Sequence, residues 1–517
     1  MTPMNRIIRC GLIAVASAVV FAQSPIQAPR IWSDKDLADW ATPIAALNVP
    51  PTQYSADEYY RIDGDNLRTY PVYDPRSEPA GYWEGLQQKK PEPLVDVGKI
   101  RNAQDWIEAG RRAYVEIDSF WARTSDPTLI AAARNPVSFE GVLKRADGTV
   151  GESRWVVTRE GVMLSRRECG QCHREVLLAI GAETPEWLSA VSGRTASSAG
   201  GGARLEPAGL GDPRTQLRVL PLYFIGDTLP IAIWRKFTVP WALDERIERL
   251  RTVDAKELPE QELQRMTQLG ATAGGFPRIH GSPYFGAKRA DLRLLKYSRY
   301  LDATATHRLR GAEDVGRYAA FVTGADRMEF GPHQILTDEQ RRVRFRNADE
   351  VLYAIGMFLL SLEPPKNPDQ PLPYIRALGE QVFEREGCGN CHVPPAYTSG
   401  KLTLARGWQP PANHPNRADI LSISVGTDPG LALETRKGTG FYKIPSLRGV
   451  WSRPLLLHDG SLTSLEEMFD PPRLDPQYEP KGWNPPGVKT RAVPGHTFGL
   501  SLAPNDKAAM LAFLRTL

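Results

Sequence analysis

Cysteine is scarce in this chain, with 5 among 517 residues, and histidine and methionine are hardly commoner at 8 each. So few thiols exclude the disulfide frameworks that hold small secreted domains together. Long hydrophobic runs are missing too. No segment beyond the first 22 residues approaches the roughly 20 apolar residues a membrane-crossing helix requires, which argues against a span. Nor does one sign of charge prevail: 64 Lys and Arg stand against 60 Asp and Glu. The formal +4 becomes +2 when Arg6 and Arg9 are subtracted, which leaves neither a nucleic-acid-binding surface nor a polybasic membrane face. The remaining composition, 41% hydrophobic and 24% charged, is that of an ordinary globular chain with room for two or three cores.

What is present begins with a leader pattern. Arg6 and Arg9 precede an apolar run from Cys10 to Ala22, with small residues Val20 and Ala22 before a cleavage point near Gln23. Residues 1–22 are therefore expected to be a signal peptide and the mature chain to be periplasmic or secreted; an uncleaved anchor is the alternative. Cys10 leaves with the leader, and each of the four other cysteines then lies in a C-x-x-C-H motif: Cys169, Cys172 and His173, and Cys388, Cys391 and His392.

The spacing has a physical purpose. Cysteines three apart share one side of a helical turn, so both sulfurs can reach the vinyl groups along one porphyrin edge, and the adjacent histidine swings beneath the iron. Two covalently bound haem c groups are the expected cofactors. A zinc site would instead have to join two pairs about 200 residues apart and would leave both following histidines unexplained. Calcium is a further candidate ion, with no residue assigned to it.

An internal repeat organises the chain. Gly379 and Phe383 lie four apart in the amphipathic stretch Ala377–Arg385, ahead of the second motif, and a closing helix over 505–517 ends Phe513-Leu514-Arg515-Thr516-Leu517. Gly110 and Tyr114 repeat the spacing ahead of the first motif, and Phe358-Leu359-Leu360-Ser361-Leu362 echoes the terminal five residues. A glycine at a helix crossing permits close approach, which gives the pairing its reason. The expected fold is mainly α, with two cytochrome c-like haem domains, the first enlarged by short β-hairpins, one around Arg154–Leu164, and by long irregular loops. The expected boundaries are an irregular Pro- and Tyr-rich arm over 23–95, a first domain over 96–366 and a second over 370–517, joined by the linker Glu363–Pro368. A Gly/Ser/Ala-rich stretch, 196–203, reads as a loop.

Function turns on the sixth ligand of each iron, since two strong protein ligands suit electron transfer and an open position admits small molecules. Beyond the two proximal histidines the candidates are His280, His307, His333, His414, His458 and His496. His496 precedes the closing helix and is the expected second ligand of the C-terminal iron, with a surface histidine as the alternative. Met468 reads as core beside Leu465 and Phe469. No methionine occupies the comparable loop before Phe358; Met328 is nearby and Met357 falls within the helix, so the N-terminal haem is expected to be open or weakly ligated, with His307 a candidate to line it. Arg448 is a candidate partner for a haem propionate, because guanidinium forks match carboxylates. Trp234, Trp241 and Trp451 all remain candidate inter-haem aromatics.

The stretch Lys443–Phe469, which contains K-I-P-S-L-R-G-V-W and L-H-D-G-S-L-T-S-L-E-E-M-F, resembles the signature of the bacterial dihaem cytochrome c peroxidase superfamily. Tyr300–Asp326 and the G-H-T-F-G-L of Gly495–Leu500 resemble its rubber oxygenase branch. The resemblance implies an N-terminal haem that binds peroxide or dioxygen and a C-terminal haem that relays electrons. It further implies a second histidine ligand at His496, because the position where peroxidases carry methionine and the methylamine-utilisation enzymes tyrosine is Pro472 here. A small redox protein or a quinol-linked donor would supply electrons. The alternative is a pure electron-transfer cytochrome with both irons six-coordinate.

Overall fold

The computed structural model describes residues 28–184 and 286–517, apart from 119–122, 143, 168, 183, 328, 335–341, 344, 436–437 and 486–487. The leader, the 196–203 stretch, Trp234, Trp241, His280 and Met328 lie outside the described residues.

The first strand in chain order is β1 (Thr69–Tyr73), and the first helix longer than two turns is α1 (Ala103–Glu116). Asn102 caps α1 by accepting from the amides of Gln104 and Asp105, and Trp106, Ala109, Gly110, Ala113 and Tyr114 form its buried stripe at helical spacing. Next come β2 (Thr149–Thr158) and β3 (Gly161–Arg166), an antiparallel hairpin where one was expected. Its far edge is taken by β1, which pairs antiparallel with β2. The stretch expected as an irregular arm over 23–95 is, across its described residues from 28 on, laid into the first half of the chain. It donates a strand, and its Trp32, Trp40 and Tyr59, each at most 1% exposed, join Trp106, Val351 and Phe358 in one core.

Helices α2 (Cys169–Cys172) and α3 (Arg174–Ala179) flank His173, and α4 (Ala312–Ala320) leads toward α5 (Asp349–Ser361). Every residue from Val351 to Leu359 in α5 is buried, Met357 among them, because α1 and α4 cover it on separate sides. Helix α6 (Pro373–Arg385) opens the second half, which also carries a sheet: β4 (Leu402–Leu404), β5 (Ile420–Leu421) and β6 (Phe441–Lys443), in the order β6-β4-β5. Helix α7 (Pro504–Leu514) closes the chain and stops three residues short of the expected end. The fold is therefore mixed, helical at its cores with an antiparallel sheet in the first half and a mixed parallel and antiparallel sheet in the second, rather than mainly α with strands in the first half alone. Strands this short carry too little alternation to announce themselves.

The repeat is visible in the packing. A Cβ built on Gly110 would sit 2.8 Å from Phe358 Cβ and closer still to the Ala354 carbonyl oxygen, and one on Gly379 would sit 2.6 Å from Phe513 Cβ and closer still to the Ala509 carbonyl oxygen. One turn on, Tyr114 meets Phe358 at 5.7 Å between ring centres and Phe383 meets Phe513 at 5.4 Å. Both crossings bring backbone against backbone, which only glycine allows. Gly379→Ala is expected to cost about 3 kcal/mol, the upper range for overpacking, because the added methyl meets main chain that cannot step aside. A denaturant melt showing under about 1 kcal/mol would mean that α6 and α7 can part at little cost.

The linker is pinned rather than loose. Trp451 Nε1 donates to Pro365 O at 3.0 Å, and Lys296 pairs with Glu363. Trp451 therefore serves the linker. Among the described residues no helix is long and apolar enough to cross a membrane.

Candidate functional site

Each C-x-x-C-H motif is shaped by main-chain bonds. In the first, the His173 amide donates to Cys169 O at 3.3 Å, and Tyr114 of α1 donates its hydroxyl to His173 O at 3.0 Å, so the repeat helix positions the histidine directly. In the second, Gly387 takes the left-handed conformation at φ 72°, and the His392 amide reaches Cys388 O at 2.9 Å. Cys169 packs against the first core and Cys388 against the second.

The two histidines share one device. His173 Nδ1 lies 3.1 Å from Ala290 O, and His392 Nδ1 lies 3.2 Å from Tyr397 O. A carbonyl can only accept, so each Nδ1 carries the proton and each Nε2 keeps its lone pair for a metal. Burial reinforces this at His392, whose pKa is pushed down to about 4, keeping it neutral.

A cavity of about 790 Å³ runs from Arg174, Glu175 and Leu178, just past the first motif, to Cys388, Cys391, His392 and His496 at the second. Across it the rings of His392 and His496 stand 6.4 Å apart, centre to centre. Imidazole-to-metal bonds of about 2.0–2.1 Å, plus about 1.1 Å from nitrogen to ring centre, would place two axial imidazoles about 6.3 Å apart. The gap therefore accommodates one metal ion.

The His496 loop is built for that position. Gly495, at φ 81°, backs onto Thr427, His496 itself takes φ 47°, and its amide donates to Val425 O at 2.6 Å. Arg473 has no exposed surface and spends its guanidinium on four main-chain oxygens: Met468 at 3.1 Å, Val493 at 2.6 Å, and Gly495 and His496 at 2.8 Å each. Burial, followed by the neighbouring His392, holds the His496 pKa near 4, so it too is a neutral ligand candidate.

The cavity wall is cationic. Lys288 and Lys443 line it with Arg453, and burial pushes their pKa values down, to about 7, 8 and 10 respectively. Their hydrogen bonds go to carbonyls: Lys288 Nζ to Leu455 O at 3.1 Å, Lys443 Nζ to Tyr300 O at 3.0 Å, and Arg453 to Ser446 O at 2.6 Å and Arg448 O at 2.5 Å. Cations drawn from water onto neutral oxygens are costly, and an anion in the cavity would offset that cost. A group with a metal at its centre and carboxylates on its rim matches this wall.

Arg448, the arginine singled out in the sequence, does not line the cavity. It lies beside Tyr297 and Glu363, and Arg453 lines the cavity in its stead. The turn at Gly449, φ 67°, and the single helical turn Val450–Ser452 make the exchange. His307 is fully buried against Trp40, 4.2 Å between ring centres, with Nδ1 3.0 Å from Thr306 Oγ1, and does not line this cavity. His414 accepts from the Asn416 amide at 3.2 Å, away from the cavity. His458 does line it, with its ring 4.4 Å from Tyr442. Met468 lines the cavity and packs in the second core with Leu465 and Phe469. His333 lies in a two-residue strand paired with Glu329–Phe330. Among the described residues no group of three or more His, Cys, Asp or Glu side chains offers calcium a ready ligand set.

No protein-family model matches the chain. No curated protein matches it either. Several solved structures are similar over part of the path. A MauG-like protein associated with microbial copper homeostasis is 18% identical with a TM-score of 0.28, over 56% of this chain and 87% of that one. A variant of the diheme peroxidase BthA from Burkholderia thailandensis is 19% identical with a TM-score of 0.21, over 44% of this chain and 63% of that one. Kuenenia stuttgartiensis hydrazine synthase is 15% identical with a TM-score of 0.21, over 35% of this chain and 59% of that one. The chain thus spans under two thirds of the peroxidase and of the hydrazine synthase chains, and resembles all three only in part.

Proposed function

We propose that the chain is a periplasmic dihaem c-type cytochrome with oxidoreductase activity, allied to the dihaem cytochrome c peroxidases. In this reading Cys169 and Cys172 tether the first haem and Cys388 and Cys391 the second, with His173 and His392 as proximal ligands. The observation that carries it is the pair His392 and His496, neutral, facing, and 6.4 Å apart beside a C-x-x-C-H cysteine pair. Bound at these motifs, haem c would supply an iron able to take up peroxide or dioxygen at the first site and an iron able to pass electrons at the second.

The chain's own residues divide the work. Ala290 O and Tyr397 O hold the protons on His173 and His392 and thereby aim both Nε2 atoms. Arg473 fixes the loop that carries His496, which would hold the second group together with His392 as an electron-relaying centre. Arg453 and Lys443, which line the cavity where Arg448 does not, would meet rim carboxylates. The finer reading, peroxide reduction or the oxidative cleavage of an unsaturated substrate by dioxygen, follows the rubber oxygenase-like stretches Tyr300–Asp326 and Gly495–Leu500.

A ligand-binding difference spectrum tests the proposal. The purified protein, reduced and then oxidised, is expected to give a carbon monoxide band and a peroxide-induced change from one centre only. Silence from both would leave the pure electron carrier, and the absence of a Soret band would remove haem altogether.

A further inference from the structure

A short segment beginning at Gly286 joins the two sites, and each end of it is fastened to a different half of the chain. At its start, Gly286 lies flat on the indole of Trp483; a Cβ there would come within 2.5 Å of the ring. Two residues on, the Lys288 amide donates to His458 O at 2.8 Å and Lys288 Nζ to Leu455 O at 3.1 Å, so the segment is laced to the loop that lines the second site. Ala290 then presents its carbonyl to His173 Nδ1 at 3.1 Å. Beyond it Asp291 caps the next turn through Arg293, and the Leu292 amide points at Glu175 Oε1 from 3.5 Å. That same carboxylate oxygen stands 3.3 Å from His173 Nδ1, so one ring proton lies between a neutral carbonyl and a carboxylate.

We propose that residues 286–291 form a positioning strap through which the second half of the chain sets the donor strength of His173, with Gly286 and Lys288 as its fasteners. The outer hydrogen bond of a metal-bound histidine governs how strongly the ring donates. With the strap in place the proton is shared and the Glu175 carboxylate is kept at arm's length. With the strap displaced, Glu175 takes the proton alone in a charge-assisted bond, the ring gains imidazolate character, and the ferric state is favoured. The proposal rests on haem c at the first motif.

The test is Gly286→Ala, which drives a methyl into Trp483 and lifts the strap four residues ahead of the Ala290 carbonyl. Haem content is counted first by pyridine haemochrome, and the two reduction potentials are then titrated spectroscopically. The first centre is expected to favour its ferric form about tenfold more, a fall of about 59 mV for one electron, and to move further than the second. The double variant Gly286→Ala with Trp483→Leu, which makes room for the methyl, is expected to recover the original potential. Should Gly286→Ala not accumulate, Lys288→Arg supplies the check: it replaces the ammonium with a longer, planar guanidinium, alters the bond to Leu455 O, and is expected to move the first potential in the same direction. Two bound haems with an unmoved first potential, or a shift confined to the second, would overturn the strap and leave the dihaem reading intact. A chain without haem would overturn that reading itself.

Discussion

His173→Ala is expected to abolish turnover of peroxide or dioxygen while the second centre keeps its spectrum. The expectation follows from what the histidine does and what surrounds it. Its carbonyl is held by Tyr114 and its Nδ1 by Ala290, so the residue is oriented from both sides and its Nε2 is left free to hold the proposed haem. Loss of an outer hydrogen bond alone typically costs about 10–100-fold at a metal centre. Loss of the ligand itself is therefore expected to exceed 100-fold in steady-state turnover. Haem attachment is expected to survive, because the thioethers do not depend on the imidazole. His392→Ala is the counterpart, expected to slow electron delivery and spare ligand binding. If turnover vanished with His392→Ala and persisted with His173→Ala, the roles of the two centres would be exchanged.

The second large effect belongs to His496. Alanine at this position removes the ring that stands 6.4 Å from His392 and leaves the second centre with one protein nitrogen. A six-coordinate low-spin signal is expected to become partly high-spin in electron paramagnetic resonance, with a new carbon monoxide band from this centre. The loop itself is expected to remain in place, since the Arg473 bonds that hold it go to backbone oxygens and none goes to the imidazole. That makes the variant a clean subtraction. An unchanged spectrum would strike His496 from the ligands and return attention to His458, the other histidine on the cavity wall.

Much of this site could be read from the sequence because its logic is local. C-x-x-C-H is a five-residue pattern, and the glycine four residues ahead of an aromatic is one helical turn; both express geometry that holds wherever they occur. The match between Phe358–Leu362 and Phe513–Leu517 then paired the helices correctly, Gly110 against Ala354 and Gly379 against Ala509. What escaped notice is non-local. Arg473 lies in a Pro- and Asp-rich stretch that reads as a surface turn, and only the folded loop reveals that four carbonyls converge on it. Arg448 and Arg453 are equally plausible as letters, and a left-handed glycine between them decides which one faces the cavity. Lys288 lies beyond a long stretch with no motif, so nothing nearby hinted that its amide would reach His458. The strands of the second half are two or three residues long, below the length at which alternation can be counted.

Arg473 also bears on how freely this part of the molecule could change. A clasp that grips only the chain's common backbone is indifferent to the letter written at position 496. The left-handed backbone at position 496, φ 47°, is what narrows the choice there, since histidine adopts that conformation far more readily than a bulky or β-branched residue.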